Sequence, residues 1–311
     1  MNGPGGIEVW RGGVNAWECD DMGHLNVRFY VARAMEGLVG LAGALGMPGA
    51  FRQQANATLV VKDHHIRFLK EARSRAPLHM VAGVLELDES HGRFLQLLFH
   101  SATGEIAASF QTVVSHATAT DGRPFPWSAR ARELADSLKI ETPHHAAPRS
   151  LGLEPASGAA SLAAAERLGL IRLGGGAVGA GDCDVFGRMR PDCFIGRVSD
   201  GIPGLGAALR SVDGQARLEQ QGVGGAALEY RVSYSAWPRA GDRFEIRSGL
   251  ADFGERTQRL VHWILDPESG QAWATAEAVA VALDLELRRI IPISAEDQKI
   301  LRTRVTPGLS L

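Results

Sequence analysis

Three carboxylates, a thiol, a histidine and an amide surround one glycine in the stretch ECDDMGHLN, which runs from Glu18 to Asn26. Carboxylate and imidazole side chains accept and donate protons, so this set could perform general acid–base catalysis. A carboxylate could also attack a carbonyl carbon as a nucleophile. The stretch, here named the first acidic turn, is therefore a candidate catalytic turn, and a solvated polar loop is the alternative.

A similar stretch recurs in the second half of the chain as DCDVFG, from Asp182 to Gly187. It aligns with ECDDMG so that Asp184 matches Asp20 at an offset of 164 residues (184 minus 20). The same offset pairs Tyr30 with Phe194, Arg33 with Arg197, Glu36 with Asp200, Gly37 with Gly201 and Leu41 with Leu205. Farther on, an offset of 166 residues matches Arg73 with Arg239 and Gly104 with Gly270. This ordered series indicates a tandem duplication with a slip of two residues. Residues 182–190 are named the second acidic turn.

The composition is that of an ordinary globular protein. The 311 residues are 45% hydrophobic and 22% charged, and this length favours about two domains. The formal net charge of −2 gives no sign of a nucleic-acid partner. The N-terminus lacks the regions of a secretory signal, no apolar run is long enough to span a bilayer, and three cysteines are too few for a disulfide framework. We therefore expect a cytoplasmic protein with no membrane partner.

Each copy predicts one long helix directly after its acidic turn. Apolar residues between Val27 and Leu45 recur at steps of three and four, which is the helical period. The counterparts in the second copy are Pro191, Ile195, Val198, Ile202, Leu205 and Leu209. Proline suits a first helical turn, so Pro191 marks the start of the second helix.

Four apolar runs after the first helix predict strands: ATLVVKDHHIRFL, LHMVAGVLELD, RFLQLLFHS and EIAASFQTVVSHA. An antiparallel sheet wrapped around a long central helix is the simplest packing, so the predicted fold class is α+β. Residues 119–158 contain five prolines and the helical pattern SARARELADSLKIE. We predict an N-terminal domain over residues 1–118, a linker with a helix over 119–158, and a C-terminal domain with a tail over 159–311.

The order of one strand, an acidic turn, a long helix and four strands resembles the hotdog fold of thioesterases, here as two tandem hotdog domains. The DCD-x-x-G pattern is similar to the active-site turn of 4-hydroxybenzoyl-CoA thioesterases, in which the last Asp is catalytic. The string DDMGHLNVRFY is similar to the D-x-N-x-H-x-N element of acyl-ACP thioesterases, although Met22 replaces its first Asn. The resemblance implies a hydrolase of acyl-CoA or acyl-ACP thioesters. Because a sheet wrapped on one helix leaves an edge and a face to cover, we expect the copies to form an intrachain pseudo-dimer. Whole chains could associate further as homo-oligomers.

The resemblance implies roles for the residues of the first acidic turn. Asp20 would be the catalytic base or nucleophile, and His24 and Asn26 would orient the water or the leaving thiolate. The helix that starts near Asn26 would polarise the thioester carbonyl through its N-terminal dipole. Gly23 would let the carbonyl approach the backbone, and Tyr30 would contribute to substrate binding.

The second acidic turn keeps only part of this set. Asp184, the counterpart of Asp20, is also a candidate catalytic residue, and Gly187 matches Gly23. Arg188 and Arg190 stand at the positions of His24 and Asn26. A guanidinium near Asp184 would tie that carboxylate into a salt bridge and weaken it as a base. The two arginines and Gly187 are therefore predicted to bind substrate, with the arginines on the CoA phosphates, and the first turn is predicted to carry most of the catalysis.

Each of these residues also has a purely structural interpretation. Acidic residues before a helix commonly cap its N–H groups, which is the favoured role for Asp21 and the alternative for Asp20. His24 could be an ordinary partly buried histidine, and Asn26 could be the N-cap without losing a catalytic role. Cys19 is a weak candidate nucleophile, because a neighbour of Asp20 on an extended chain points to the opposite face.

No motif in the sequence predicts a cofactor or a metal ion. The pairs His64–His65 and His144–His145 lack accompanying ligands at metal-site spacing. The run LGGGAVGAG, residues 173–181, has neither dinucleotide-binding nor phosphate-loop spacing. A non-catalytic acyl-thioester binding or regulatory protein remains the alternative function, and a hydratase is disfavoured because its D-x-N-P-x-H pattern is absent.

Overall fold

The computed structural model describes residues 5–210 and 222–311, which form two compact units. Unit 1 comprises Met1–Pro148 and Cys183–Asp192, and unit 2 comprises Arg149–Asp182 and Cys193–Leu311. The second acidic turn, from Cys183 onward, therefore belongs to the same unit as the first. These units are divided differently from the predicted domains, because the predicted linker is shared between them at Pro148.

Unit 1 contains one five-stranded antiparallel sheet. Its elements are β1 (Ile7–Gly13), α1 (Val27–Ala44), β2 (Ala57–Phe68), β3 (Pro77–Leu87), β4 (His91–His100), β5 (Ile106–Thr118) and α2 (Ala129–Ser137). The strand order is β1-β3-β4-β5-β2. The four predicted strands and both predicted helices of this region are confirmed.

Unit 2 contains six antiparallel strands. Its elements are α3 (Leu162–Arg167), β6 (Ile171–Ala177), α4 (Pro191–Leu209, whose first two residues belong to unit 1), β7 (Val223–Tyr234), β8 (Arg243–Phe253), β9 (Thr257–Leu265), β10 (Ala272–Asp284), β11 (Arg289–Ile291) and α5 (Ala295–Arg304). The strand order is β6-β8-β9-β10-β7, with β11 paired to β10. This order matches that of unit 1 strand for strand.

Helix α1 packs closely on the sheet of unit 1 because its buried face carries small residues. A Cβ atom on Gly40 would lie 2.5 Å from the carbonyl oxygen of Val9 in β1, so only glycine fits there. The predicted apolar stripe of α1 is buried at Val31, Ala34, Leu38, Leu41 and Leu45. The predicted helix α4 is confirmed, although Ile202 of its apolar series is 39% exposed. The buried residues of α4 lie in its first turns and near its end, at Leu205 and Leu209.

The face of each sheet opposite its long helix is covered by chain segments outside the strands. In unit 1, Ile140 and Ala146 pack with Leu95 and Leu97 of β4. In unit 2, a core cluster joins Ala160, Ala164, Ala165, Leu170, Val261, Trp263, Leu265 and Leu309. The predicted linker thus contributes Ile140 and Ala146 to the core of unit 1. Across residues 5–210 and 222–311, no helix combines the length and the apolar character needed to cross a bilayer.

Candidate active site

The first acidic turn is held in shape by the carboxylate of Asp20. Asp20 Oδ1 accepts hydrogen bonds from the backbone N–H of Met22 and of His24, each at 3.0 Å. The backbone N–H of Asp20 donates to the carbonyl of His24 at 2.8 Å. Gly23 has φ +75°, a conformation that glycine adopts without strain. Because the N–H groups that Asp20 binds belong to the turn, it does not cap α1.

The second oxygen of Asp20 has a different environment. Asp20 is only partly buried, and within the described parts of the chain no group donates a hydrogen bond to its Oδ2. One oxygen therefore fixes the orientation of the carboxylate while the other stays available to a ligand. This is the arrangement that a positioned base or nucleophile needs.

The second acidic turn repeats the backbone geometry of the first. Asp184 Oδ1 accepts from the N–H of Phe186 at 2.8 Å and of Arg188 at 2.9 Å, and Gly187 has φ +76°. Here, however, Asp184 Oδ2 is engaged, because Arg188 Nε lies 3.6 Å away. Arg188 also lies over the ring of Phe186, with 4.7 Å between its Cζ and the ring centroid. The salt bridge that the sequence predicts at this turn is present.

His24 has a carboxylate partner that the sequence analysis missed. His24 Nε2 lies 3.4 Å from Glu71 Oε2, and the imidazole is 8% exposed while the Glu71 side chain is 39% exposed. Glu71 follows the end of β2 by three residues, and the segment after it returns to the turn through the N–H of Leu25, which donates to Ala72 O at 2.7 Å. A glutamate 47 residues from His24 (71 minus 24) gives no signal in a single sequence. The repeat offset of 166 places Trp237 at its position in the second copy.

Tyr30 lies under this segment in the core. Its side chain is 4% exposed, and its hydroxyl accepts a hydrogen bond from the N–H of Ala72 at 3.2 Å. Burial raises the pKa of Tyr30 to about 12, so the phenol is neutral at physiological pH. The contact anchors the residue next to Glu71. The predicted role of Tyr30 in substrate binding stays a prediction.

Helix α1 begins as the sequence predicts. Asn26 is its N-cap, and the Asn26 side chain accepts from the N–H of Arg28 at 3.0 Å. The N–H of Phe29 donates to the carbonyl of Asn26 at 2.9 Å. Two N–H groups of the first turn are thereby engaged, so the polarising effect of this end rests on the helix dipole and the remaining N–H groups.

A buried carboxylate joins the starts of α1 and α4. Asp192 Oδ2 lies 3.3 Å from Arg28 Nε, and Asp192 Oδ1 lies 3.0 Å from Arg190 Nε. Arg28 and Asp192 are equivalent residues at the repeat offset of 164. Only 6% of the Asp192 side chain is exposed, whereas Arg28 and Arg190 are exposed at 34% and 37%. This network fixes the side chain of Arg190, the last residue of the second acidic turn.

Cys19 is not set up as a nucleophile. Burial raises the pKa of its thiol, and the neighbouring carboxylates of Asp20 and Glu18 act in the same direction. A raised pKa leaves little thiolate at neutral pH. Within the described residues, no group of three or more His, Cys, Asp or Glu side chains is arranged to hold a metal ion.

The comparisons with known proteins identify the class of this chain. Residues 14–135 and 178–301 match the model of the thioesterase-like superfamily. These segments cover more than half of the sequence, so the chain belongs to this superfamily and is a thioesterase. A comparison with curated proteins finds no match.

Solved structures share the fold across both units. A putative oleoyl thioesterase from Lactobacillus plantarum is 12% identical with a TM-score of 0.66, and the match covers 89% of this chain and 97% of that one. An acyl-ACP thioesterase from Bacteroides thetaiotaomicron is 12% identical with a TM-score of 0.61, over 87% and 96% of the two chains. The 12:0-ACP thioesterase from Umbellularia californica is 10% identical with a TM-score of 0.63, over 88% and 93%. At these identities the likeness establishes the hotdog fold alone.

Proposed function

We propose that this thioesterase hydrolyses an acyl-CoA or acyl-ACP thioester with Asp20 as its base or nucleophile. The proposal rests on the different environments of the two Asp20 carboxylate oxygens. Oδ1 accepts hydrogen bonds from two backbone N–H groups, and Oδ2 has no donor in the described chain. The names of the matching structures, which include thioesterases of acyl-ACP, support the substrate class.

As a base, Asp20 Oδ2 takes a proton from water while the water oxygen attacks the thioester carbonyl carbon. The carbonyl oxygen gains negative charge in the tetrahedral intermediate, and the N-terminal end of α1 stabilises that charge. The C–S bond then breaks, and the thiolate leaves and takes up a proton. As a nucleophile, Asp20 Oδ2 would instead attack the carbonyl carbon and displace the thiolate as the C–S bond breaks, and water would then hydrolyse the resulting anhydride to the free acid and restore the Asp20 carboxylate. Both routes need the same free carboxylate oxygen.

His24 and Glu71 serve this reaction as a pair. The Glu71 carboxylate holds the His24 imidazole in one orientation, since 3.4 Å separates Nε2 from Oε2. An oriented imidazole can direct the attacking water or return a proton to the leaving thiolate. Asn26 fixes the start of α1 relative to the turn, and Gly23 leaves the approach to the turn backbone open, with no atom within 4 Å of an added Cβ.

The second acidic turn is proposed to bind rather than to catalyse. Its Asp184 Oδ2 lies in an ion pair with Arg188 and is therefore less available to a substrate or a water molecule than Asp20 Oδ2. Arg188 and Arg190, next to Gly187, offer guanidinium groups of the kind that bind phosphate. A chain in which both turns only bind ligand is the alternative function.

The proposal also covers the arrangement of the copies, the location and the assembly of the protein. The shared strand order of the two units supports a tandem duplication, and the two copies are proposed to form an intrachain pseudo-dimer. A cytoplasmic location and further association of whole chains into homo-oligomers are also proposed.

A hydrolysis screen tests the proposed function. The full-length protein is assayed with short, long, branched and aryl acyl-CoAs and with acyl-ACP, and free thiol is detected. We expect hydrolysis of at least one thioester at a rate that a chelator leaves unchanged. Activity that a chelator abolishes and zinc restores would contradict the central role of Asp20. Tight binding of acyl-CoA without hydrolysis would favour the alternative.

A further inference from the structure

Two buried polar groups on the helix-facing side of the unit 2 sheet have no hydrogen-bond partner in the described chain. They are the hydroxyl of Tyr230 on β7 and Nε2 of His262 on β9. Tyr230 is 4% exposed and His262 is fully buried. Their rings are nearly parallel, with 6.2 Å between centroids and 9° between planes. A buried polar group without a partner is destabilising, so two neighbouring ones indicate a place where a ligand could supply the missing hydrogen bonds.

In unit 1 the position equivalent to His262 is closed by hydrogen bonds to its own chain, and the position equivalent to Tyr230 holds His64. The repeat offset of 166 puts Gln96 at the position of His262. Gln96 Nε2 donates to Ala34 O in α1 at 2.5 Å, and Gln96 Oε1 accepts from the Thr112 hydroxyl at 2.8 Å. The side chain at this position therefore has its hydrogen bonds within the chain in unit 1, as Gln96, whereas Nε2 of His262 in unit 2 has no partner in the described chain.

The open groups face the long helix of unit 2. Ala276 of β10 pairs with both Val232 and His262, and Ala278 pairs with Tyr230, which places these side chains on one face of the sheet. Tyr234, four residues from Tyr230 on β7, contacts Phe194 of α4 with 5.2 Å between ring centroids. Tyr230 lies about 13 Å farther along the strand than Tyr234.

The protonation states of Tyr230 and His262 favour a ligand with an uncharged oxygen as their hydrogen-bond partner. Burial lowers the pKa of His262 to about 3 and raises that of Tyr230, so both are neutral at physiological pH. His262 Nδ1 is taken by the Ser248 hydroxyl at 2.8 Å. Leu260 and Leu250, which follow Ala278 in the row of paired residues that contains Tyr230, are buried apolar side chains. A charged group would be desolvated there without a counter-charge, whereas a hydroxyl or keto oxygen would not.

We propose that the helix-facing interior of unit 2 binds an acyl chain that carries a hydroxyl or keto oxygen, with the Tyr230 hydroxyl and His262 Nε2 as its partners. This inference rests on the proposed function, because it names the class of acyl group that the thioesterase accepts. An internal water molecule is the competing occupant.

Matched substrates test the proposal. Octanoyl-, lauroyl- and palmitoyl-CoA are compared with their 3-hydroxy, 3-oxo and terminally hydroxylated counterparts on the full-length enzyme. We expect at least one oxygenated chain to be preferred over its plain counterpart by roughly tenfold in kcat/KM. Tyr230→Phe should abolish the preference, mainly by raising the KM of the oxygenated substrate. His262→Gln, which restores the residue found in unit 1, should also abolish it and provides a second variant if Tyr230→Phe does not fold.

Thr275→Val is the matched control. Thr275 also has a buried hydroxyl without a partner in the described chain, but it pairs with Trp263 and so lies on the opposite face of the sheet. This variant should keep the preference. Hydrolysis without a preference for any oxygenated chain, or a preference that survives Tyr230→Phe, would overturn the proposal and leave water as the occupant. If no thioester is hydrolysed, the proposed function fails, and equilibrium binding of the same acyl-CoAs to the same variants decides the inference separately.

Discussion

Arg188 Nε lies 3.6 Å from Asp184 Oδ2, an ion pair that the first acidic turn does not contain. At the equivalent position of the first turn, His24 faces Glu71 instead, and Asp20 Oδ2 has no donor in the described chain. The two turns share one backbone geometry and differ in the side chain four residues after the aspartate. That difference makes one carboxylate available for chemistry and occupies the other.

The pair of His24 and Glu71 predicts a kinetic effect of a residue outside the acidic turn. Glu71→Gln should lower kcat by tenfold or more with little change in KM, because the imidazole loses the charge that orients it. Steady-state kinetics on the best substrate measures this. Glu105→Gln is the control, since Glu105 is an exposed carboxylate paired with Lys70, and it should leave kcat unchanged. An effect of Glu71→Gln on KM alone would argue against a role in the chemical step.

The buried carboxylate of Asp192 predicts a loss of stability. Asp192→Asn should lower the free energy of unfolding by about 2 kcal/mol, because Arg28 and Arg190 lose their shared partner but remain partly exposed to water. Urea denaturation measures the change. Glu8→Gln is the control, because it removes one partner of an exposed ion pair with Arg11, and it should leave the urea midpoint of unfolding unchanged. Equal midpoints for the wild type and Asp192→Asn would show that this network does not stabilise the fold.

The buried histidines predict a loss of stability in acid. Burial lowers the pKa of His262, and likewise of His64, to about 3 in the folded protein, whereas an unfolded histidine titrates near 6.5. The contribution of each buried neutral histidine to the free energy of unfolding is therefore fully present above pH 6.5. It is lost as the pH falls towards 3, by up to about 1.4 kcal/mol per pH unit for each histidine. His262→Gln should make the slope of unfolding free energy against pH shallower by about one proton between pH 6 and 4. His145→Gln, at an exposed position, should not, and an unchanged slope for His262→Gln would contradict its neutral state.

The proposed pseudo-dimer predicts that neither half of the chain is self-sufficient. Unit 1 includes Cys183–Asp192 from the second half, so a chain of residues 1–148 lacks Asp192, the partner of Arg28. Residues 1–148 and 149–311 expressed separately should each be unstable or self-associate. Light scattering and chemical denaturation test this. A half that is monomeric, soluble and cooperatively folded would refute it.

Periodic features of the fold could be predicted from the sequence, because burial repeats along helices and strands. The two long helices, the strands after α1 and the N-cap at Asn26 are examples. Residues brought together by the tertiary fold could not be predicted. Glu71 is far in sequence from His24, Asp192 from Arg28 and Tyr230 from His262, and no local pattern joins the members of these pairs. Ile202 satisfies the helical period yet is exposed, because a period identifies a face of a helix but not how far the covering layer extends.

The most direct test of the account is to compare kcat for Asp20→Asn and Asp184→Asn on the best substrate from the screen, with folding checked for both. We predict a loss on the order of a hundredfold or more for Asp20→Asn, the scale of a positioned acid–base group, and a much smaller loss for Asp184→Asn. Equal losses would mean two working sites, and a loss confined to Asp184→Asn would reverse the assignment. If neither folded variant loses activity, the catalytic role of the acidic turns is contradicted.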